Sequence, residues 1–165
     1  MIDTRAECIK ALRAVPPIVR VFARGMDDAA LRRRPALGAW AAIEVVAHMA
    51  DTDERALERI RRMRDEDEPC LPAFDQEALA VEHAYLTLPV EPTLRRLQDT
   101  IAALVADLER LDDAGWRRTG RHAVHERISI ADYLAHVAAE DVDHLAQLAR
   151  LHAEETPADR EAWQL

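Results

Sequence analysis

A chain of 165 residues with a net charge of −9 suits one acidic domain that is large enough to bury its own core. The negative charge argues against nucleic-acid and anionic-membrane partners, because most of the surface would repel phosphate groups. No apolar run approaches the roughly 18 residues of a membrane span, and the first residues lack the features of a signal peptide, so we expect a cytoplasmic protein.

Four long segments show apolar residues at helical spacing, and the Ala, Leu, Arg and Glu content favours helices over strands. The predicted helices cover residues 4–25, about 40–63, 91–114 and 129–152. Pro16 and Pro17 are expected to kink or interrupt the first helix, and Ser129 is expected to cap the last one. The pattern predicts an all-α four-helix bundle with a long crossover between helices two and three, formed by residues 1–152 and followed by a polar tail of residues 153–165.

The last predicted helix carries a column of side chains that are common metal ligands. His136, Glu140 and His144 lie four residues apart and therefore share one helical face, with Cβ atoms roughly 5 to 6 Å apart. Two adjacent members could grip one ion, and a third ligand would come from another helix. On the second helix His48 is flanked by apolar residues and is expected to face the core, although such a histidine is more often a hydrogen-bonded core residue than a ligand.

Other catalytic chemistries find little support in the sequence. It contains no nucleophile elbow, no glycine-rich phosphate loop and no His-Glu-x-x-His motif. Cys8 and Cys70 lie far apart and in no metal-type spacing, so both are expected to be reduced structural thiols.

Four stretches, in this order, carry motif-like residues: Trp40 with Ile43–Asp51, then Asp67–Asp75, Trp116–His122 and Asp141–Leu148. Together they resemble the motifs of the DinB-like superfamily, and the similarity covers nearly the whole chain. The resemblance implies a four-helix bundle, commonly a homodimer, that holds a divalent metal through one histidine on helix two and two histidines on the last helix.

Matched residue by residue, the resemblance implies that His48 and His144 are metal ligands and that Glu140 replaces the middle histidine. A carboxylate can take that place, because two histidines and one glutamate form several catalytic zinc sites. Zinc, nickel, manganese and iron all suit this donor set. Asp51 would orient His48, and His122 matches a family position near the pocket mouth, where it would bind cofactor or substrate or only pack the loop.

The resemblance also implies an activity. Its better-understood members resemble transferases that use a low-molecular-weight thiol such as bacillithiol or mycothiol, so the main prediction is thiol transfer to a small electrophilic substrate. The first alternative is a metal-dependent hydrolase, with Asp51 or His136 as the proton acceptor. The second is a non-catalytic dimeric bundle that has lost its metal site. A metal site requires ligand atoms of His48, Glu140 and His144 to converge, whereas the non-catalytic alternative leaves Glu140 in a salt bridge to His48 or His144, or facing solvent.

Overall fold

The computed structural model describes residues 4–123 and 126–155, and helices make up most of that part of the chain. In chain order the helices are α1 (Thr4–Arg24), α2 (Asp28–Leu31), α3 (Ala42–Asp65), α4 (Gln76–Glu82), α5 (Val90–Leu108), α6 (Asp113–Trp116) and α7 (Ile130–Glu155), with a single 3-10 turn at Tyr85–Thr87 between α4 and α5.

The four long helices α1, α3, α5 and α7 form a bundle. Both α1 and α3 pack against α5 and α7, which places α1 and α3 on a diagonal. Each helix buries a stripe of large apolar side chains, among them Leu12, Met49, Leu104 and Leu134. Complete burial of such a side chain contributes roughly 1.5 to 3 kcal/mol, so these stripes hold the bundle together. The predicted four-helix bundle with its crossover between α3 and α5 is confirmed. Within residues 4–123 and 126–155, no helix combines the length and the apolar character that a membrane span requires.

Three features of the long helices differ from the prediction: α5 ends at Leu108 and not near residue 114, α1 is not interrupted at its prolines, and α7 extends beyond residue 152. The Ser129 hydroxyl accepts the backbone N–H of Asp132 at 3.1 Å and caps α7, as predicted. The first helix continues through Pro16 and Pro17 and is not interrupted there, because the buried apolar residues on either side hold it against the bundle. The last helix extends to Glu155, so residues 153–155 of the predicted tail are helical, and residues 156–165 lie outside the described part.

A small three-stranded sheet was not predicted. Its strands are β1 (Cys70–Leu71), β2 (Thr119–His122) and β3 (Glu126–Ser129), with β1 parallel and β3 antiparallel to β2. Strands of two to four residues are too short to show alternating hydrophobicity. The sheet joins the crossover to the segment that precedes α7, and it thereby places His122 beside that helix.

Candidate metal centre and adjoining pocket

The first turns of α3 are held in place by a buried carboxylate. Glu44 is 2% exposed, accepts the backbone N–H of Ala41 at 2.9 Å and forms an ion pair with Arg34. The ion pair compensates the burial of its charge, and the bond to Ala41 satisfies one of the free N–H groups at the helix start. This anchor lies one turn before His48 and fixes the direction in which that histidine points.

His48 and His144 meet across the interface of α3 and α7. Their ring centroids are 4.8 Å apart and the rings are nearly perpendicular. The indole of Trp40 also packs against His48, with a centroid distance of 4.8 Å. His48 is only 4% exposed, so the expectation that it faces the core is confirmed. The contact brings together two of the three predicted metal ligands from different helices.

Both imidazoles can offer a nitrogen lone pair to a cation. Burial, and next the neighbouring His144, lower the pKa of His48 to about 4, so its ring is neutral at physiological pH. His144 Nδ1 lies 3.1 Å from Oε1 of Gln147. An amide oxygen can only accept a hydrogen bond, so Nδ1 carries the hydrogen and Nε2 is left to bind a cation.

The predicted third ligand points elsewhere. The Glu140 side chain is 52% exposed, and its Oε1 lies 3.5 Å from Nε2 of His136, one turn earlier on α7. In residues 4–123 and 126–155 no three His, Cys, Asp or Glu side chains are arranged to hold a metal ion. The His48 and His144 pair fits a metal as two nitrogen donors. Ligation by Glu140 would require its carboxylate to leave His136, and the three-ligand set stays a prediction.

Asp51 lies three residues after His48 on α3, and its carboxylate is bound by side chains of α5 and of the segment that precedes α5. Its carboxylate accepts hydrogen bonds from the Tyr85 hydroxyl and the Arg96 guanidinium, and its Oδ2 lies 2.6 Å from Nδ1 of His83. Burial by itself would raise the pKa of Asp51, but these hydrogen bonds outweigh it and lower that pKa. These contacts direct the carboxylate toward α5 and the 3-10 turn, so the predicted role of Asp51 in orienting His48 stays a prediction. His83 is therefore a member of this network.

The other predicted site residues share a cavity of about 160 Å³ between α3 and α7. His122 enters from the end of β2, while His136 and Glu140 enter from α7. Three other described residues that line this cavity have aromatic or cationic side chains. Phe74 comes from the crossover, and Arg59 and Tyr133 come from α3 and α7. Glu140 borders this cavity, whereas His48 and His144 are not among its described lining residues.

The same cavity contains two acids that the sequence analysis did not single out. Asp53 of α3 is 1% exposed and Asp141 of α7 is 3% exposed. Burial, then the charges of Asp141 and Glu140, raise the pKa of Asp53 well above its ordinary value. Burial, then Glu140, raise the pKa of Asp141 to about 7. Their positions were a readable signal, since Asp53 follows Met49 by four residues and Asp141 follows Val137 by four, both on core faces of their helices.

A four-helix bundle with a pair of inward-facing histidines on two of its helices is the class of protein that the fold and the site define. A model of the DinB superfamily matches residues 5–148, and the chain belongs to this superfamily.

Proteins that are similar to this chain in sequence are named as metal-dependent hydrolases. A "putative metal-dependent hydrolase" of Geobacillus kaustophilus is 32% identical over 115 residues, which span 70% of this chain and 65% of the relative. A protein of Oceanobacillus iheyensis with the same description is 28% identical over 123 residues, or 74% of this chain and 70% of the relative.

Solved structures share the fold. YfiT from Bacillus subtilis, described as a probable metal-dependent hydrolase with an unusual four-helix bundle topology, superposes with a TM-score of 0.85 at 22% identity, covering 93% of this chain and 89% of YfiT. The four-helix bundle protein TT2238 gives a TM-score of 0.66 at 23% identity, covering 88% of this chain and 98% of TT2238. At these identities the likeness concerns the fold alone.

Proposed function

We propose that this protein is a metal-dependent hydrolase whose ion is held by His48, His144 and Glu140. The observation that carries the proposal is the contact between His48 and His144, which places two imidazoles from facing helices 4.8 Å apart in the bundle. The relatives named as metal-dependent hydrolases support the choice of hydrolysis. They therefore favour hydrolysis, the first alternative from the sequence, over thiol transfer, the main prediction from the sequence.

The residues around the site have different roles in the proposed hydrolysis. A divalent ion bound there would supply Lewis acidity toward a substrate oxygen and would acidify water. His136 borders the cavity at 3.5 Å from Glu140 and is half exposed, so its imidazole can take up a proton from the substrate side and release it to solvent. His122 lies across from Tyr133, with ring centroids 6.3 Å apart, and would contact the substrate at the cavity mouth.

Asp51 would act through the position of α3 and not through contact with substrate. Asp51 follows His48 by three residues on α3. Its carboxylate joins this helix to Arg96 of α5 and to Tyr85 of the 3-10 turn. A rigid α3 keeps His48 at a fixed distance from α7, which a metal site needs.

Metal uptake is the first test. Elemental analysis of protein purified without a histidine tag or chelator should find close to one ion per chain, and His48→Ala and Glu140→Ala should each lose most of it. His152→Ala is the matched control, because His152 lies two turns beyond His144 on α7 and outside the proposed site. Absence of metal from the wild type after dialysis against zinc, nickel, manganese and anaerobic ferrous iron would overturn the proposal.

Reaction type is the second test. Metal-loaded protein should hydrolyse a member of a panel of esters, amides and phosphoesters, with activity lost in His48→Ala. Parallel assays that supply bacillithiol or mycothiol with a small electrophile test the thiol-transfer prediction. Consumption of the thiol with no hydrolysis of the panel would replace hydrolysis by transfer.

A further inference from the structure

Each of the two buried acids that line the cavity has one carboxyl oxygen that forms no hydrogen bond within the described residues. Within the described ranges 4–123 and 126–155, neither Oδ2 of Asp53 nor Oδ2 of Asp141 has a hydrogen-bond partner. Both side chains are more than nine-tenths buried, and both line the cavity. A buried carboxyl oxygen without a partner is costly, so each of these two oxygens offers an acceptor to a hydrogen-bond donor that enters the cavity.

Acidic side chains outnumber basic ones among the described residues that line the cavity. Three carboxylates line it, from Asp53, Glu140 and Asp141, against the single guanidinium of Arg59. That guanidinium donates to the Tyr133 hydroxyl at 3.1 Å and to a backbone carbonyl, so its described hydrogen bonds go to neutral oxygens. The imidazoles at the rim add positive charge only when they are protonated. With the acids ionised, a positive ligand is therefore favoured.

The size and walls of the cavity favour an organic cation over a bare ion. A volume of about 160 Å³ exceeds what one ion needs. Phe74, Tyr133 and Val137 supply apolar wall surface next to the two acids. One face of Phe74 already carries the Arg55 guanidinium, 4.2 Å from the ring centroid, so Phe74 contributes apolar wall surface to the cavity and not a free face for a cation.

We propose that this cavity binds the ammonium group of a small organic cation, which pairs with Asp53 and Asp141. An alkyl chain of a few carbons would lie against Phe74 and Tyr133. If the protein is the hydrolase proposed above, on which this extension rests, its substrates are amines that carry their reactive bond toward Glu140. Selectivity for positive charge is the property that distinguishes this cavity from a general substrate pocket.

The test uses n-propylammonium chloride, 1-propanol and sodium propionate as probes of similar size and different charge. Each is titrated into the full chain at pH 7.5 and constant ionic strength, with binding followed by chemical-shift changes of backbone amides. We expect n-propylammonium to bind at least about tenfold more tightly than the alcohol, with the largest shifts around Asp53 and Asp141. Propionate should not bind.

Two variants and one control locate the interaction. Asp53→Asn and Asp141→Asn should each weaken n-propylammonium binding at least about tenfold, because each replaces a carboxylate by a neutral amide. Asp143→Asn removes the same charge from the same helix at an exposed position and should leave binding unchanged. The comparison of probes on the wild type decides the question even if an Asn variant does not fold.

Several results would overturn the cation site. They are equal binding of ammonium and alcohol, binding that both Asn variants retain, and complete competition by potassium or magnesium chloride, which would assign the cavity to an inorganic ion. The metal content of each sample separates the two proposals. Metal uptake that depends on His48 without ammonium binding leaves the hydrolase proposal standing and ends this one, while ammonium binding in a protein that takes up no metal does the reverse.

Discussion

At the scale of single residues, Asp53 and Asp141 determine how stability responds to pH. Their pKa values are raised in the folded state, so between about pH 4 and about pH 7 these two groups bind more protons in the folded protein than in the unfolded chain. The stability that they contribute therefore falls as the pH rises through this interval, whereas His48, whose pKa is lowered to about 4, contributes with the opposite sign over the lower part of it. The sign for Asp53 and Asp141 is also opposite to that of Asp51, whose pKa is lowered and whose contribution is lost only in acid.

We predict that urea denaturation of metal-free protein gives a lower free energy of unfolding at pH 8 than at pH 5. Each unit of pKa shift corresponds to about 1.4 kcal/mol. In the double variant Asp53→Asn with Asp141→Asn most of this difference should disappear, whereas exposed Asp143→Asn should keep it. Parallel pH profiles of the wild type and the double variant would contradict the assignment.

Two acids that bind the same arginine should differ in their value to stability. Arg96 contacts both Asp51, whose side chain is 4% exposed, and Glu54, whose side chain is 45% exposed. We predict that Asp51→Ala lowers the free energy of unfolding by roughly 1 to 3 kcal/mol, because the buried Tyr85 hydroxyl loses its acceptor. Glu54→Ala should cost less than about 1 kcal/mol. Equal losses in chemical denaturation would show that the Asp51 network does not hold α3.

At the scale of elements, the sheet matters because it positions the mouth of the cavity. β2 passes close to the core at Gly120, where an added Cβ would lie 2.8 Å from Leu71 Cδ1 and 3.0 Å from Met63 Cγ. Neither neighbour has free space, since Leu71 and Met63 are fully buried. Only a residue without a side chain lets β1 and β2 approach each other at this point.

We predict that Gly120→Val lowers the free energy of unfolding by about 1 to 3 kcal/mol through overpacking. Because His122 follows two residues later on β2, the variant should also shift the NMR signals of the cavity residues. Arg121→Ala is the control, as that side chain is exposed on the same strand. A Gly120→Val protein with unchanged stability would mean that the β1–β2 contact is looser than described.

At the scale of the whole molecule, a metal held between α3 and α7 should lock the bundle. Binding to the folded state at 100 times Kd adds about 2.7 kcal/mol, which for a domain of this size raises Tm by about 5 to 10 °C. We predict such a rise for the wild type and the His152→Ala control with the ion that binds, and none for His48→Ala. Calorimetric scans with and without the ion measure it, and an equal rise in His48→Ala would place the metal elsewhere.

Homodimerisation remains a prediction that rests on the family resemblance. Sedimentation equilibrium should give twice the chain mass of 18.6 kDa. A mass of one chain at micromolar concentration would contradict it.

Much of the architecture could be read from the sequence because helical periodicity is a local property. The apolar spacing around His48 was enough to turn that residue inward, and Ser129 was recognisable as a cap from its type and place. The strands of the sheet were missed, because segments as short as Cys70–Leu71 carry no periodic signal and pair only through contacts distant in sequence. The sheet forms because the bundle brings those segments together.

The sequence alone determined the four helices, through the spacing of apolar residues, and the family, through its motifs, while the pairing of His48 with His144 was implied by the family resemblance. Only the tertiary structure decided which groups these side chains contact. Glu140 lies beside His136, Asp51 pairs with Arg96 of α5, and Asp53 and Asp141 line the same cavity. Spacing specifies the face of a helix, whereas the partner of a side chain depends on which helices become neighbours. That choice comes from burial of apolar surface across the whole bundle.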